Sequence, residues 1–600
     1  MYFRGYTTDN KTTMKSIKHP IFALFIALTL AACSSKSPVE FSAFTKQYFD
    51  DKNALFPLEA TQYGQNQYND QLLFEMTDSY RKKLGEFYTN YENKLEQFDL
   101  KSLSEEEQNS YEIIKWEVAV GKEVLEQPTN LMPIHQFNGT HLTMGQFAGG
   151  TSAQPFATEK DYRNFLVRME KFAVWIDSAI VYMKKGMAQN VVLPKALSQK
   201  VIPQFQDLIT ANPTDNLYYS AIKQMPNTIP ATKQKELASA YAQVISQKLV
   251  PQFQKMVAFL QTDYLPASRN TSGIGALPFG KKLYAAYAKQ WTTTTLDPET
   301  IHQLGLKEVA RLQAEMEVVK KQVGYTGSLK EFMNEVRTSP KLKPFTTPEQ
   351  VLANFDRIYQ KIKPNVDRLF AVQPKTKFEI RRTEAFRENS ASAEYVQGTA
   401  DGSRPGIFYV PIPDAKEYNV LEDEDLFLHE AIPGHHFQVS LQQESTTLPD
   451  FRKFNWFGAY GEGWALYTES LGKELGLYQD PYQYLGMLND EMHRAIRLVV
   501  DTGIHCKGWT REEAIAYSMN NEAGGVPSIT AEIERYMAIP GQALSYKIGQ
   551  LKILELRHKA EAKLGKQFDI KIFHEKILES GVMPLALLES KMNAWIDSVK

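Results

Sequence analysis

A chain of 600 residues is too long for one hydrophobic core, which rarely grows beyond about 250–300 residues, so several lobes are expected. An apolar fraction of 43% and a formal charge of −2 describe an ordinary soluble body and exclude the basic signature of a nucleic-acid binder. With only Cys33 and Cys506 present, a chemically modified Cys33 leaves no intramolecular disulfide, and stability must come from the core.

The first landmark reads as an export signal. Lys15 and Lys18 supply a positive flank, and Ile21 to Leu30 form an apolar run too short to span a membrane stably. Met14 is a plausible start. Leu30-Ala31-Ala32-Cys33 looks like a bacterial lipobox, which implies cleavage before Cys33 and lipidation of its thiol. Residues 1–33 are then a signal peptide and 34–40 a tether, and the mature protein hangs from a membrane by its lipid. Asp after the lipidated Cys can retain a lipoprotein at the inner membrane. Ser34 stands there instead, which favours an outer-membrane, periplasmic address.

From residue 41 to about 122 apolar and aromatic residues recur at helical spacing. Residues 128–150 read as loop. Helices are expected at 158–190, 193–210 and 231–263, with a kink or boundary at Pro251, and again at 298–323, 328–338 and 347–370. Residues 375–383, 392–398 and 406–411 favour strands. Long helices then run almost to the end. The fold expected is mainly α, with one small β-sheet (about 375–411) beside the active site. Residues 41–297 form an N-terminal helical lobe and 298–600 a C-terminal catalytic lobe.

The chain is organised around DLFLHEAIPGHHFQ, residues 425–438. A His-Glu dyad opens many zinc-peptidase motifs: His429 gives the metal a neutral nitrogen, and Glu430 serves as general base. The usual partner is a second His at i+4, on the same helical face. Here i+4 is Pro433, followed by Gly434, His435 and His436. On a straight helix His435 sits about 240° round, and His436 lies about 10 Å up the axis. Pro433 clashes with the carbonyl of His429, and Gly434 permits an unusual backbone angle. A break or bulge that loops out the surplus residues is therefore expected, bringing back His435, with His436 as the alternate.

Later segments complete the constellation. Glu462, in GAYGEGWALYTES, is a carboxylate on an apolar helix and should be paired or metal-bound, which makes it the third ligand. Glu469, two turns on, could accept a hydrogen bond from a ligand His. In DEMHRAIRLVVDTGIHC, His505 held by Asp501 could donate to an oxyanion, and Arg494 or Arg497 could hold a peptide carboxylate. Tyr546 is a second oxyanion donor. Residues 401–411 are placed to offer a strand edge to an extended substrate, with Gly406 allowing close approach and Arg404 in reach.

DGSRPGIFYV, LHEAIPGHHFQ, GEGWALYTE, RLVVDTGIH and IPGQALSYKIG, in that order, resemble a bacterial family catalogued only as a domain of unknown function and rich in exported lipoproteins. The motif logic is similar to that of the gluzincin metallopeptidases. The resemblance implies a two-lobed helical architecture with a deep channel, and one Zn(2+) on His429, His435 and Glu462. It further implies Glu430 as base, and His505 and Tyr546 on the oxyanion. The function expected is hydrolysis of short peptides at the cell envelope. The alternative is a non-catalytic peptide- or metal-binding lipoprotein on a degenerate peptidase fold.

Overall fold

The computed structural model describes residues 38–384, 388, 391–399 and 404–599. The signal segment and Cys33 lie outside the described residues, as does the tether up to residue 37; Pro38 already begins the first helix, Pro38–Leu55. Helices make up 69% of the structure. Among the described residues no helix is long and apolar enough to cross a membrane.

Local sequence sets most helix starts. Ser104 with Glu107, Thr158 with Asp161, Ser328 with Glu331 and Thr510 with Glu513 form reciprocal capping boxes, satisfying amides that the first turn leaves free. Asp297 caps the helix Pro298–Gln322 directly before its proline. At Pro251 the helix does not stop. A π-helical turn, Ile245–Leu249, precedes Pro251, and a second, Leu260–Tyr264, precedes Pro266. Widening the turn ahead of a proline removes the carbonyl clash that would break a regular helix.

Among the described residues, the buried hydrophobic side chains fall into two clusters. One gathers Trp175, Phe172, Tyr218, Phe253 and other residues between Leu72 and Tyr264. The other joins the first helices, through Phe41, Tyr48, Phe87 and Tyr91, to the chain from Ile274 to Ile596. The cores therefore do not divide at 297/298 as expected. The helices near the N-terminus share the larger core, and a middle segment supplies the smaller.

A three-stranded sheet interrupts the helices, with β1 Phe378–Arg382, β2 Glu394–Val396 and β3 Gly406–Val410 in the order β1-β3-β2. β3 pairs parallel with β1, Phe378 opposite Gly406, and antiparallel with β2, Tyr395 opposite Phe408. β3 is thus the central strand, and both its edges are already bonded. This overturns the expectation that residues 401–411 offer an edge to substrate.

Candidate metal centre

The His429 helix, Asp423–Glu430, ends on the dyad itself. Ala431 leaves helical geometry, the Ile432–Pro433 peptide is cis, and a new helix begins at His435 (His435–Glu444). The chain breaks into two helices where a bulge in one was the other possibility. Gly434 is required for space: a Cβ there would lie 1.9 Å from the carbonyl oxygen of His429 and 2.2 Å from that of Leu428. The Glu462 helix, Gly458–Ser470, clamps this turn. Trp464 Nε1 donates to the Pro433 carbonyl at 2.9 Å, and Thr468 Oγ1 donates to that of Leu428 at 2.9 Å.

The break swings His435 back beside His429, their rings perpendicular and 4.8 Å apart. Glu462 Oε2 lies 3.6 Å from His429 Nε2 and 3.3 Å from His435 Nε2. Bonds of about 2.0–2.2 Å to a tetrahedral zinc ion separate two ligand atoms by about 3.3–3.5 Å. The donor set therefore fits one such ion, and the ligand atoms of the three residues all lie within 4.8 Å of one another. Behind them, Glu469 Oε1 accepts from His429 Nδ1 at 2.7 Å, the partner that directs Nε2 towards Glu462. His436 is turned away. It is buried, with Nδ1 3.1 Å from the Tyr395 hydroxyl of β2. Of the two candidates, His435 joins His429 and Glu462, and His436 does not.

Burial raises the Glu430 carboxyl above its usual range, with His435 and His429 opposing. Burial also pushes the Glu462 carboxyl up, but the charges of His435 and His429 and their hydrogen bonds win and hold it far below that range. Glu469 is driven up to about 7 by burial. Its Oε2 finds no hydrogen-bond partner, and one carboxylate oxygen from each of Glu469, Asp425 and Asp490 lies within 4.8 Å of the others. Arg494 Nη1 donates to Asp490.

The model of a bacterial protein family of unknown function, DUF885, matches residues 57–592. The chain belongs to this DUF885 family. A crystal structure of a protein from Colwellia psychrerythraea, provisionally described as a lipoprotein, superposes with a TM-score of 0.85 at 29% identity, covering 93% of this chain and 99% of that one. A second, from Shewanella oneidensis, is provisionally described as a lipoprotein of unknown function. It gives a TM-score of 0.74 at 21% identity over 92% and 99% of the two chains, a likeness of fold. No curated protein sequence matches.

Other expected site residues of this DUF885 chain stand elsewhere. His505 is fully engaged by backbone: Nδ1 accepts from the Ile274 amide at 3.0 Å and Nε2 donates to the Tyr536 carbonyl at 3.0 Å. Burial pushes its pKa down to about 3, and with both nitrogens occupied it has no donor for an oxyanion. Asp501 does not hold it. That carboxylate accepts from the Tyr284 hydroxyl at 2.5 Å and from the Gly541 amide at 3.1 Å. His505 and Asp501 are therefore corrected to core braces that tie residues 274, 284, 536 and 541 to the helix Pro481–Cys506.

Gly406 is buried beneath Tyr395 and His436, where a Cβ would meet them at 2.4 and 2.8 Å, so its bareness serves packing. Arg404 is exposed. Tyr546, almost buried, has the Arg497 guanidinium 4.5 Å over its ring, and its hydroxyl lies 3.4 Å from Arg535 Nη2.

Asp425 was missed, although it stands four residues before His429 on the same helix. Asp490, Glu532, Arg535 and Trp456 were also missed, the last 42% exposed with its ring 5.8 Å from that of His435. Their places depend on contacts between distant segments. Two surface clefts, of about 290 and 410 Å³, are lined by Tyr80, Arg81 and Gly121 and by Glu315, Lys473 and Tyr484 respectively; neither contains a residue of the His429 group.

Proposed function

We propose that this protein is a zinc-dependent metallopeptidase that hydrolyses short peptides at the bacterial cell envelope, anchored through a lipid on Cys33. The observation that supports it most is that Glu462 Oε2 stands 3.6 and 3.3 Å from His429 Nε2 and His435 Nε2, with all three ligand atoms within 4.8 Å of one another, assembled across a helix break with Glu430 directly beside it. His429, His435 and Glu462 would hold the ion, which when bound polarises a carbonyl and acidifies water.

Each side chain then has a role. Glu430 takes a proton from the attacking water and passes it to the leaving amine as the C–N bond breaks. Its burial favours the protonated form, which suits a base that must hold that proton between the two transfers. Glu469 fixes the tautomer and direction of His429. Tyr546 is proposed as the oxyanion donor, a role left to it alone now that His505 is committed elsewhere. Trp456, exposed above His435, offers a substrate side chain an apolar face. A two-lobed body with a deep channel belongs to the same proposal, and it would restrict substrates to short or unfolded chains.

The lipid anchor is supported by the lipobox-like Leu30–Cys33 and by the lipoprotein descriptions of both structural neighbours. The test is hydrolysis of a mixed short-peptide library by the zinc-loaded protein, after chelation, and after zinc is returned. Activity that disappears and comes back supports the reading; a library left intact throughout contradicts it.

A further inference from the structure

Beyond the metal group, the helix Pro481–Cys506 carries Arg494 and, three residues and about 4.5 Å further along the axis, Arg497. Arg497 is 5% exposed. Its Nε donates to the Tyr536 hydroxyl at 3.0 Å and its Nη2 to Glu532 Oε2 at 3.0 Å, but Nη1 is buried with no hydrogen-bond partner. Arg535, on the helix Val526–Ala538, shares the same Glu532 at 3.3 Å and reaches Gln542 at 2.9 Å, and its Nε is likewise buried and unpartnered. Arg494, spent on Asp490, keeps an unpartnered buried Nε of its own. Tyr546 lies under Arg497 and against Arg535.

Two guanidinium groups thus share one carboxylate, Glu532. The neighbouring His493 does not change that balance, since its Nδ1 is paired with Glu522 at 2.5 Å while Nε2 stands 3.7 Å from Glu532. Unmade hydrogen bonds from a buried charged group are costly, and a surplus of one positive charge with free N–H groups matches a planar anion. The cluster adjoins the metal group: Arg494 binds Asp490, whose oxygen is within 4.8 Å of that of Glu469, and Glu469 holds His429. Phe137, 43% exposed, sets its ring 4.9 Å from the Arg535 guanidinium and adds an apolar face to the cluster.

We propose that Arg497 and Arg535, floored by Tyr546, bind the terminal α-carboxylate of a peptide whose preceding residues reach the His429 group, so that the protein trims peptides from the carboxyl end. This rests on the metallopeptidase reading for its chemistry, but not for its binding. Amino-end trimming would need an acidic pocket for an ammonium group, and a surplus of guanidinium repels one.

The experiment is calorimetric titration of zinc-loaded, full-chain Glu430→Gln protein with three probes: an apolar tripeptide with a free carboxylate, its C-terminal amide, and an amide carrying Glu at the last position. The free acid is expected to bind about tenfold or more tighter than the plain amide. That preference should vanish in Arg497→Met and shrink in the more exposed Arg535→Met, each checked for native circular dichroism.

Equal binding of acid and amide, no binding of either, or a preference that survives both substitutions overturns the proposal. Recovery of tight binding by the Glu-bearing amide also overturns it, because the pocket would then read a side chain. Preferential binding of the acid, with a wild type that cleaves nothing, keeps the carboxylate site and removes the peptidase reading.

Discussion

His429 Nδ1 and Glu469 Oε1, forty residues apart in the chain, lie 2.7 Å apart in the fold. The imidazole gives its Nδ1 proton to Glu469, which turns Nε2 towards Glu462, where a bound metal ion would take its lone pair. Replacing Glu469 by Ala should lower zinc affinity by about 10–100-fold, and by Gln rather less, because the amide oxygen can still accept. Competition with a chromophoric chelator measures both.

The two adjacent histidines should separate cleanly. His435→Ala removes a donor of the proposed zinc group and should abolish stoichiometric zinc. His436→Ala should retain one equivalent while lowering the melting temperature, since it empties a buried site between Tyr395 and Ser440. Metal analysis and thermal unfolding of the two variants check this.

The Glu462 helix owes its position to a glycine contact. A Cβ on Gly549 would stand 1.8 Å from the Ala459 carbonyl oxygen and 2.7 Å from the Cα of Gly463, so the helices Gly458–Ser470 and Ser545–Leu564 touch backbone to backbone. Gly549→Ala must push them apart, at a cost of about 1–3 kcal/mol. Because the displaced helix carries both Glu462 and Glu469, zinc affinity should fall with it. Denaturant unfolding and the chelator competition read the two effects separately.

Stability should depend on a histidine far from the site. His141 is buried against Phe205 with neither ring nitrogen hydrogen-bonded, and burial, aided by the neighbouring His135, pushes its pKa from 6.5 down to about 3. Between those values the unfolded chain holds the proton and the folded one does not. Its contribution is therefore fully present above pH 6.5 and is lost as pH falls towards 3, by up to about 1.4 kcal/mol per pH unit. His141→Phe should raise stability at pH 7 by about 1 kcal/mol and reduce the acid slope by one proton. Unfolding midpoints at pH 7 and pH 5 test it.

The local part of this architecture was legible in the sequence. Capping residues, apolar periodicity and Pro-Gly punctuation placed most of the helices and the three strands within a few residues, and Pro433-Gly434 announced the break that returns His435; the helix Thr140–Ala148 lies within 128–150, read as loop, and Gly280–Thr292 was not foreseen. Pairing between distant segments was not legible. β3 looked like an edge because its neighbours β1 and β2 are not written in its own residues. His505 and Asp501 looked catalytic because their partners, the amides of Ile274 and Gly541 and the hydroxyl of Tyr284, are up to 231 residues away. Arg535 was passed over for the same reason. Asp425 was within reach, since its spacing of four from His429 puts it on the same face of one helix.

The most direct test of the account compares wild type with Glu430→Gln, measuring zinc content and short-peptide hydrolysis on the same preparations. The account predicts about one zinc in each, with cleavage by the wild type and none by the variant, because the ligands are untouched and only the proton carrier is lost. Zinc retained in both without cleavage by either would point to a binding lipoprotein. Zinc held by neither would contradict the metal centre itself.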